Sequence, residues 1–128
     1  MTRAGLCVLT VWLAVVLPGC GRPGLKLAPV SGRVTYRGRG VSKATVQLLA
    51  DAAKGTHAPT ATGETGEDGS FTLQTPPHGA GAVPGHYKVT IGDYHSTIPA
   101  QYGNPGRTPL HVEIPETGLK DWKIQLKD

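Results

Sequence analysis

Val30-Ser31-Gly32-Arg33-Val34-Thr35-Tyr36-Arg37-Gly38-Arg39-Gly40 is the stretch whose reading decides the fold. Val30, Gly32, Val34 and Tyr36 fall on one side of an extended chain; Ser31, Arg33, Thr35 and Arg37 fall on the other. A period of two marks a half-buried strand. Gly38-Arg39-Gly40 then supplies a turn, because glycine reaches backbone conformations that side chains resist. A strand ending in such a turn asks for a second strand to pair with.

The same alternation recurs down the chain. Phe71 and Leu73 oppose Ser70, Thr72 and Gln74. Tyr87, Val89 and Ile91 oppose His86, Lys88 and Thr90. Leu110, Val112 and Ile114 oppose His111 and Glu113, and Trp122, Ile124 and Leu126 oppose Asp121, Lys123, Gln125 and Lys127. Most of these runs are bounded by Gly, Pro, Asn or Asp. Thr60 to Thr65 suggests a further short strand. Ser42 to Lys54 admits two readings. A helix capped by Ser42 and ended by Gly55 would align Val46, Leu49, Ala50 and Ala53. A strand would bury Ala44, Val46 and Leu48, and it is favoured as the second arm of the hairpin. The expectation is all-β: a single antiparallel β-sandwich of about seven strands.

Composition narrows the alternatives. The chain has 128 residues, 13 Lys and Arg against 9 Asp and Glu, 18 Gly and 11 Pro. That much Gly and Pro interrupts every window long enough for a helical bundle or coiled coil. A multi-span membrane protein is excluded because there is one apolar run, Leu6 to Leu17.

That run follows Arg3 and ends at Pro18-Gly19. It is shorter than the ~20 residues of a membrane span and has the length of a secretory h-region. Leu17-Pro18-Gly19-Cys20 resembles the lipobox of bacterial lipoproteins: Leu17, Gly19 and Cys20 match, and Pro18 differs. The resemblance implies a diacylglycerol on the Cys20 thiol, cleavage before Cys20 and acylation of the new amino group. An ordinary secretory signal with an incidental Cys20 and a retained anchor helix are the competing readings. The expected organisation is a signal peptide over residues 1–19, a lipid-anchored tether over 20–28 and the sandwich over 29–128. Gly21, where an Asp retains enteric-type lipoproteins in the inner membrane, implies the outer membrane facing the periplasm. Cys7 leaves with the signal, so no disulfide, CxxC centre or cysteine zinc site is expected.

Four segments resemble carboxypeptidase regulatory-like domains. Val30-Ser31-Gly32-Arg33-Val34 looks like their V-x-G-x-V opening strand, and Ala44-Thr45-Val46-Gln47-Leu48 like the A-x-V-x-L strand after it. Thr65 to Phe71 is similar to the T-D-x-x-G-x-F turn, with Gly66 where Asp is usual, and Pro84 to Val89 to P-G-x-Y-x-V. The remainder looks like small lipoproteins of this type in Planctomycete-like bacteria. The resemblance implies an immunoglobulin-like, transthyretin-like sandwich and a non-catalytic accessory or binding module.

Chemical motifs are sparse. His57, His78, His86, His95 and His111 lack zinc-site spacing and HExxH. Glu64, Glu67 and Asp68 read as a solvated turn rather than a calcium loop. No serine sits in a GxSxG elbow. No enzyme, metal or cofactor is expected. Arg33, Arg37 and Arg39 read as a solvated basic face, with attraction to anionic lipid or glycan as the alternative. An exported chain with few exposed aromatics is not expected to bind nucleic acid. Tyr94, His95, Tyr102 and Asn104 form the most ligand-like set, aromatic with polar neighbours, unless the tyrosines simply pack the loop down. The expected function is a lipid-anchored cell-envelope module that binds an envelope protein or glycan or serves a structural role. A carbohydrate-binding module using Tyr94 and Tyr102 is the alternative.

Overall fold

The computed structural model describes residues 26–93, 95 and 97–128. Leu17, Gly19, Cys20 and Tyr94 lie outside the described residues. Val30–Tyr36 is extended (β1), with Val30 and Val34 buried as the alternation predicts. The hairpin turn falls one residue earlier than the glycines suggest. Arg37 (φ 52°) and Gly38 (φ 75°) are its two central residues, and Arg39–Gly40 (β2) is already the return, with Tyr36 opposite Arg39. Positive φ at both central residues is the type I′ form of a two-residue hairpin loop, which follows the strand twist, and Arg37 supplies the first.

Ala44–Ala50 is a strand (β3) with Ala44, Val46 and Leu48 fully buried. The helical signal nearby is real but short: Asp51, not Ser42, caps a single 3-10 turn over Ala52–Lys54 that ends at left-handed Gly55. There follow Ala61–Glu64 (β4), Ser70–Thr72 (β5), Gln74–Thr75 (β6), Gly79–Ala80 (β7) and Gly85–Asp93 (β8). A 3-10 turn over Ala100–Gly103 precedes His111–Ile114 (β9) and Leu119–Leu126 (β10).

The strands form two sheets of an all-β sandwich. In the first, β1 is central, with β10 on one side and β2 and β5 on the other. The second has the order β7-β6-β4-β3-β8-β9. Residues 70–75 cross between sheets at buried Leu73, so β5 pairs with β1 while β6 pairs with β4. This crossing and several two-residue strands give ten strands among the described residues rather than about seven. One pairing departs from the antiparallel expectation: β10 runs parallel to β1, from Val30 opposite Leu119 to Tyr36 opposite Leu126. Alternation fixes which face of a strand is buried and is silent on direction, and residues 37–118 together form the long crossover a parallel pair requires.

Val34, Val46, Leu48, Tyr87, Val89, Ile91, Ile114 and Ile124 fill the space between the sheets. Polar atoms caught there are paired: the buried Thr75 hydroxyl donates to the Gly81 carbonyl at 2.8 Å, and among the described residues no buried side-chain N or O lacks a partner. A bulge breaks β10 near its start. Lys120 and left-handed Asp121 (φ 56°) stand opposite Ser31, so Leu119 and Trp122 share the inner face although three positions apart.

Candidate functional site

Gly32 sits at the centre of the first sheet. A Cβ there would lie 2.3 Å from the Trp122 carbonyl oxygen and 3.0 Å from Phe71 Cζ. The bare backbone lets Phe71 from β5 and Trp122 from β10 meet edge to face across β1, with ring centroids 5.9 Å apart and an interplanar angle of 73°. The opposite face of the same strands is polar and concave. Ser31, Arg33 and Thr35 of β1, Ser70 and Thr72 of β5, and Asp121, Lys123 and Gln125 of β10 line an open concavity of about 810 Å³, with Glu64 beside it. These are the outward positions of three neighbouring strands.

The turn at one side of the concavity is fixed by charge-assisted hydrogen bonds. Arg33 Nε donates to the Asp68 carbonyl at 2.7 Å. The Asp68 carboxylate accepts from both the hydroxyl and the backbone N–H of Ser70. The Ser70 hydroxyl, then its N–H, hold the Asp68 carboxyl below its ordinary range. The pair shapes the turn. The surface can hydrogen-bond a partner through hydroxyls, an amide and charges of both signs. Among the described residues, no three His, Cys, Asp or Glu side chains converge as metal ligands.

Of the loop residues singled out from the sequence, His95, Tyr102 and Asn104 are among the described residues, and each has a different setting. Tyr102 is 3% exposed, its ring in the core. Its hydroxyl donates to the Lys127 carbonyl at 2.8 Å and accepts from the Lys127 N–H at 2.7 Å. It therefore packs the loop down, with its ring turned into the core rather than outward. Asn104 also has a local role. Its Oδ1 accepts from the Gly106 N–H at 2.8 Å, and its carbonyl accepts from Arg107 and Thr108 N–H. His95 is exposed. It lies with Tyr36, Arg37, Arg39 and Asp93 around a second open concavity of about 630 Å³. Slight desolvation raises the Asp93 carboxyl, but hydrogen bonds from the Thr97 hydroxyl and the His95 and Thr97 N–H groups outweigh it, and the net shift is downward.

Arg33, Arg37 and Arg39 are all exposed, and Arg37 and Arg39 border the same second concavity. Arg33 serves the Asp68 turn. Arg37 pairs with the Asp128 carboxylate at 3.0 Å, which also accepts from the Tyr36 hydroxyl. The concavity residues Ser31, Arg33, Thr35, Thr72, Lys123 and Gln125 were not legible as a group. Each outward position follows from alternation, but their adjacency depends on the β5-β1-β10 order.

No family model and no curated protein matches the chain. Among solved structures, a DUF3823 family protein from Parabacteroides merdae is similar, with a TM-score of 0.44 and 19% identity. The match covers 77% of this chain and 45% of that one, so the chain spans less than half of that protein's length.

Proposed function

We propose that this chain is a lipid-anchored β-sandwich of the cell envelope: a non-enzymatic binding or structural accessory module that resembles carboxypeptidase regulatory-like domains. One observation carries the reading. Leu17-Pro18-Gly19-Cys20 stands directly before a short tether, and strand pairing begins where that tether ends. The Ala28 N–H donates to the Ala82 carbonyl at 2.8 Å, and the Ala82 N–H returns the bond at 2.9 Å. The eight steps from Cys20 to Ala28 reach about 26–29 Å at most. A lipidated Cys20 would keep the sandwich close to the bilayer. Two or more acyl chains make such an anchor stable, at ~0.8 kcal/mol per buried methylene. Gly21 supports sorting to the outer membrane, facing the periplasm.

The polar concavity on β5, β1 and β10 supports contact with a hydrogen-bonding partner, an envelope protein or a glycan. This hydroxyl-lined face offers a glycan hydrogen-bonding groups that the buried Tyr102 does not. Metabolic labelling with a tagged fatty acid tests the anchor. The full chain is expected to take up label and to sediment with membranes, while Cys20→Ala takes up none and is released. Label retained in Cys20→Ala would overturn the reading.

A further inference from the structure

The sandwich is closed on one side and open on the other. On the closed side residues 70–75 belong to both sheets. On the open side β9 and β10 each end a sheet, with one neighbour apiece. The backbone of β10 can be oriented from its hydrogen bonds. The Val34 N–H donates to Gly69 and the Val34 carbonyl accepts from Val41, both on the β2–β5 side of β1. Arg33 and Thr35 therefore address β10, because backbone groups alternate sides along a strand. With Val34 opposite Ile124, it is Trp122, Ile124 and Leu126 that bond back to β1. Lys123, Gln125 and Lys127 direct their N–H and C=O groups off the edge.

Tyr102 already serves Lys127, giving one bond and taking one as a neighbouring strand would. Among the described residues, none hydrogen-bonds the edge-facing N–H or C=O of Lys123 or Gln125. Beside them lies a notch of about 300 Å³ whose apolar walls are Leu110, Trp122 and Ile124, with His111, Lys123, Gln125 and Lys127 completing its lining. Leu110 and Trp122 are half-buried, so apolar surface stays in contact with water next to unpaired backbone.

An open edge is a template for another strand, and charge selects which. Lys123 and Lys127 project from this edge and are exposed. A second copy pairing edge to edge would set lysine against lysine, which is unfavourable, whereas carboxylates opposite them are favourable. The bulge at Lys120 and Asp121 confines regular pairing to the segment from Trp122 onward. We propose that the β10 edge accepts an extended segment of a partner protein in which apolar and acidic residues alternate. Its backbone pairs with Lys123 and Gln125. An apolar side chain enters the notch between Leu110 and Trp122, and its carboxylates face Lys123 and Lys127. The proposal rests on the binding-module reading and names the class of partner.

The test uses the full chain in detergent and fluorescence anisotropy of two labelled hexapeptides, alternating Glu-Val and alternating Lys-Val. The acidic peptide is expected to bind saturably and the basic one not. Reversing both charges, Lys123→Glu with Lys127→Glu, should weaken the acidic peptide by about tenfold and admit the basic one. Gln125→Pro removes an edge N–H without changing charge and should abolish binding. Should that variant fail to fold, the charge reversal on exposed side chains decides. The proposal is overturned by any of three results: no acidic-peptide binding, equal binding of both peptides, or a dimer of the chain that breaks on charge reversal. Cys20→Ala should bind the acidic peptide like the parent chain, so this outcome and the lipid-labelling outcome can fail separately.

Discussion

Tyr102 joins a 3-10 turn to the end of β10 through one hydroxyl that both donates to and accepts from Lys127. Tyr102→Phe keeps the ring and leaves both backbone groups to water. Urea denaturation should register a loss of about 1–2 kcal/mol, the range for one or two net hydrogen bonds. Tyr102→Ala also empties part of the core and should cost about 3–5 kcal/mol. A tyrosine amid polar loop residues reads the same from sequence whether its ring points in or out, and its partner lies 25 residues further on. That is why the loop set looked ligand-like. Asp68 gives a second residue-scale prediction. Ser70 holds its carboxyl below the ordinary 3.8, so the folded state binds that proton more weakly than the unfolded state does. The stabilisation is present above about pH 4 and is lost as pH falls through the carboxylate range. Asp68→Asn should therefore show a shallower loss of stability between pH 5 and pH 2 than the parent chain; equal slopes would contradict this.

At the scale of elements, Gly38 and Gly40 flank Arg39 for different reasons. Gly38 has φ +75° and open space around it. A Cβ on Gly40 would meet the Asp68 carbonyl oxygen at 2.0 Å. Gly38→Ala should cost about 1 kcal/mol, the strain of a left-handed alanine. Gly40→Ala should cost about 2 kcal/mol or more, because backbone must move. Chemical denaturation of the two variants distinguishes strain from close approach. The sequence predicted that a turn stands here but placed it one residue late, since an arginine in left-handed backbone leaves no local signal. The strands themselves were legible wherever alternation ran for four residues or more, as in β1, β3, β8 and β10. The crossing at Leu73 was not, because a residue buried in either sheet carries the same apolar signature. The polar concavity shared that limit: its outward residues were legible singly, and the β5-β1-β10 order that gathers them was not.

At the scale of the whole molecule, the parallel pairing of β1 with β10 sets how the sandwich bears load. Val30 faces Leu119 at the end where residues 26–29 lead in, and Tyr36 faces Leu126 at the far end. Tension applied at the start of β1 and the end of β10 runs along both strands in opposite senses. It must shear every hydrogen bond of the pair at once. Tension applied at the start of both strands would peel the bonds one by one. Single-molecule pulling between Lys26→Cys and Lys127→Cys should therefore require a higher rupture force than pulling between Lys26→Cys and Lys120→Cys. Equal forces would contradict this. A load passed from the start of β1 to the end of β10 thus meets the whole β1–β10 ladder together, in shear rather than in peel.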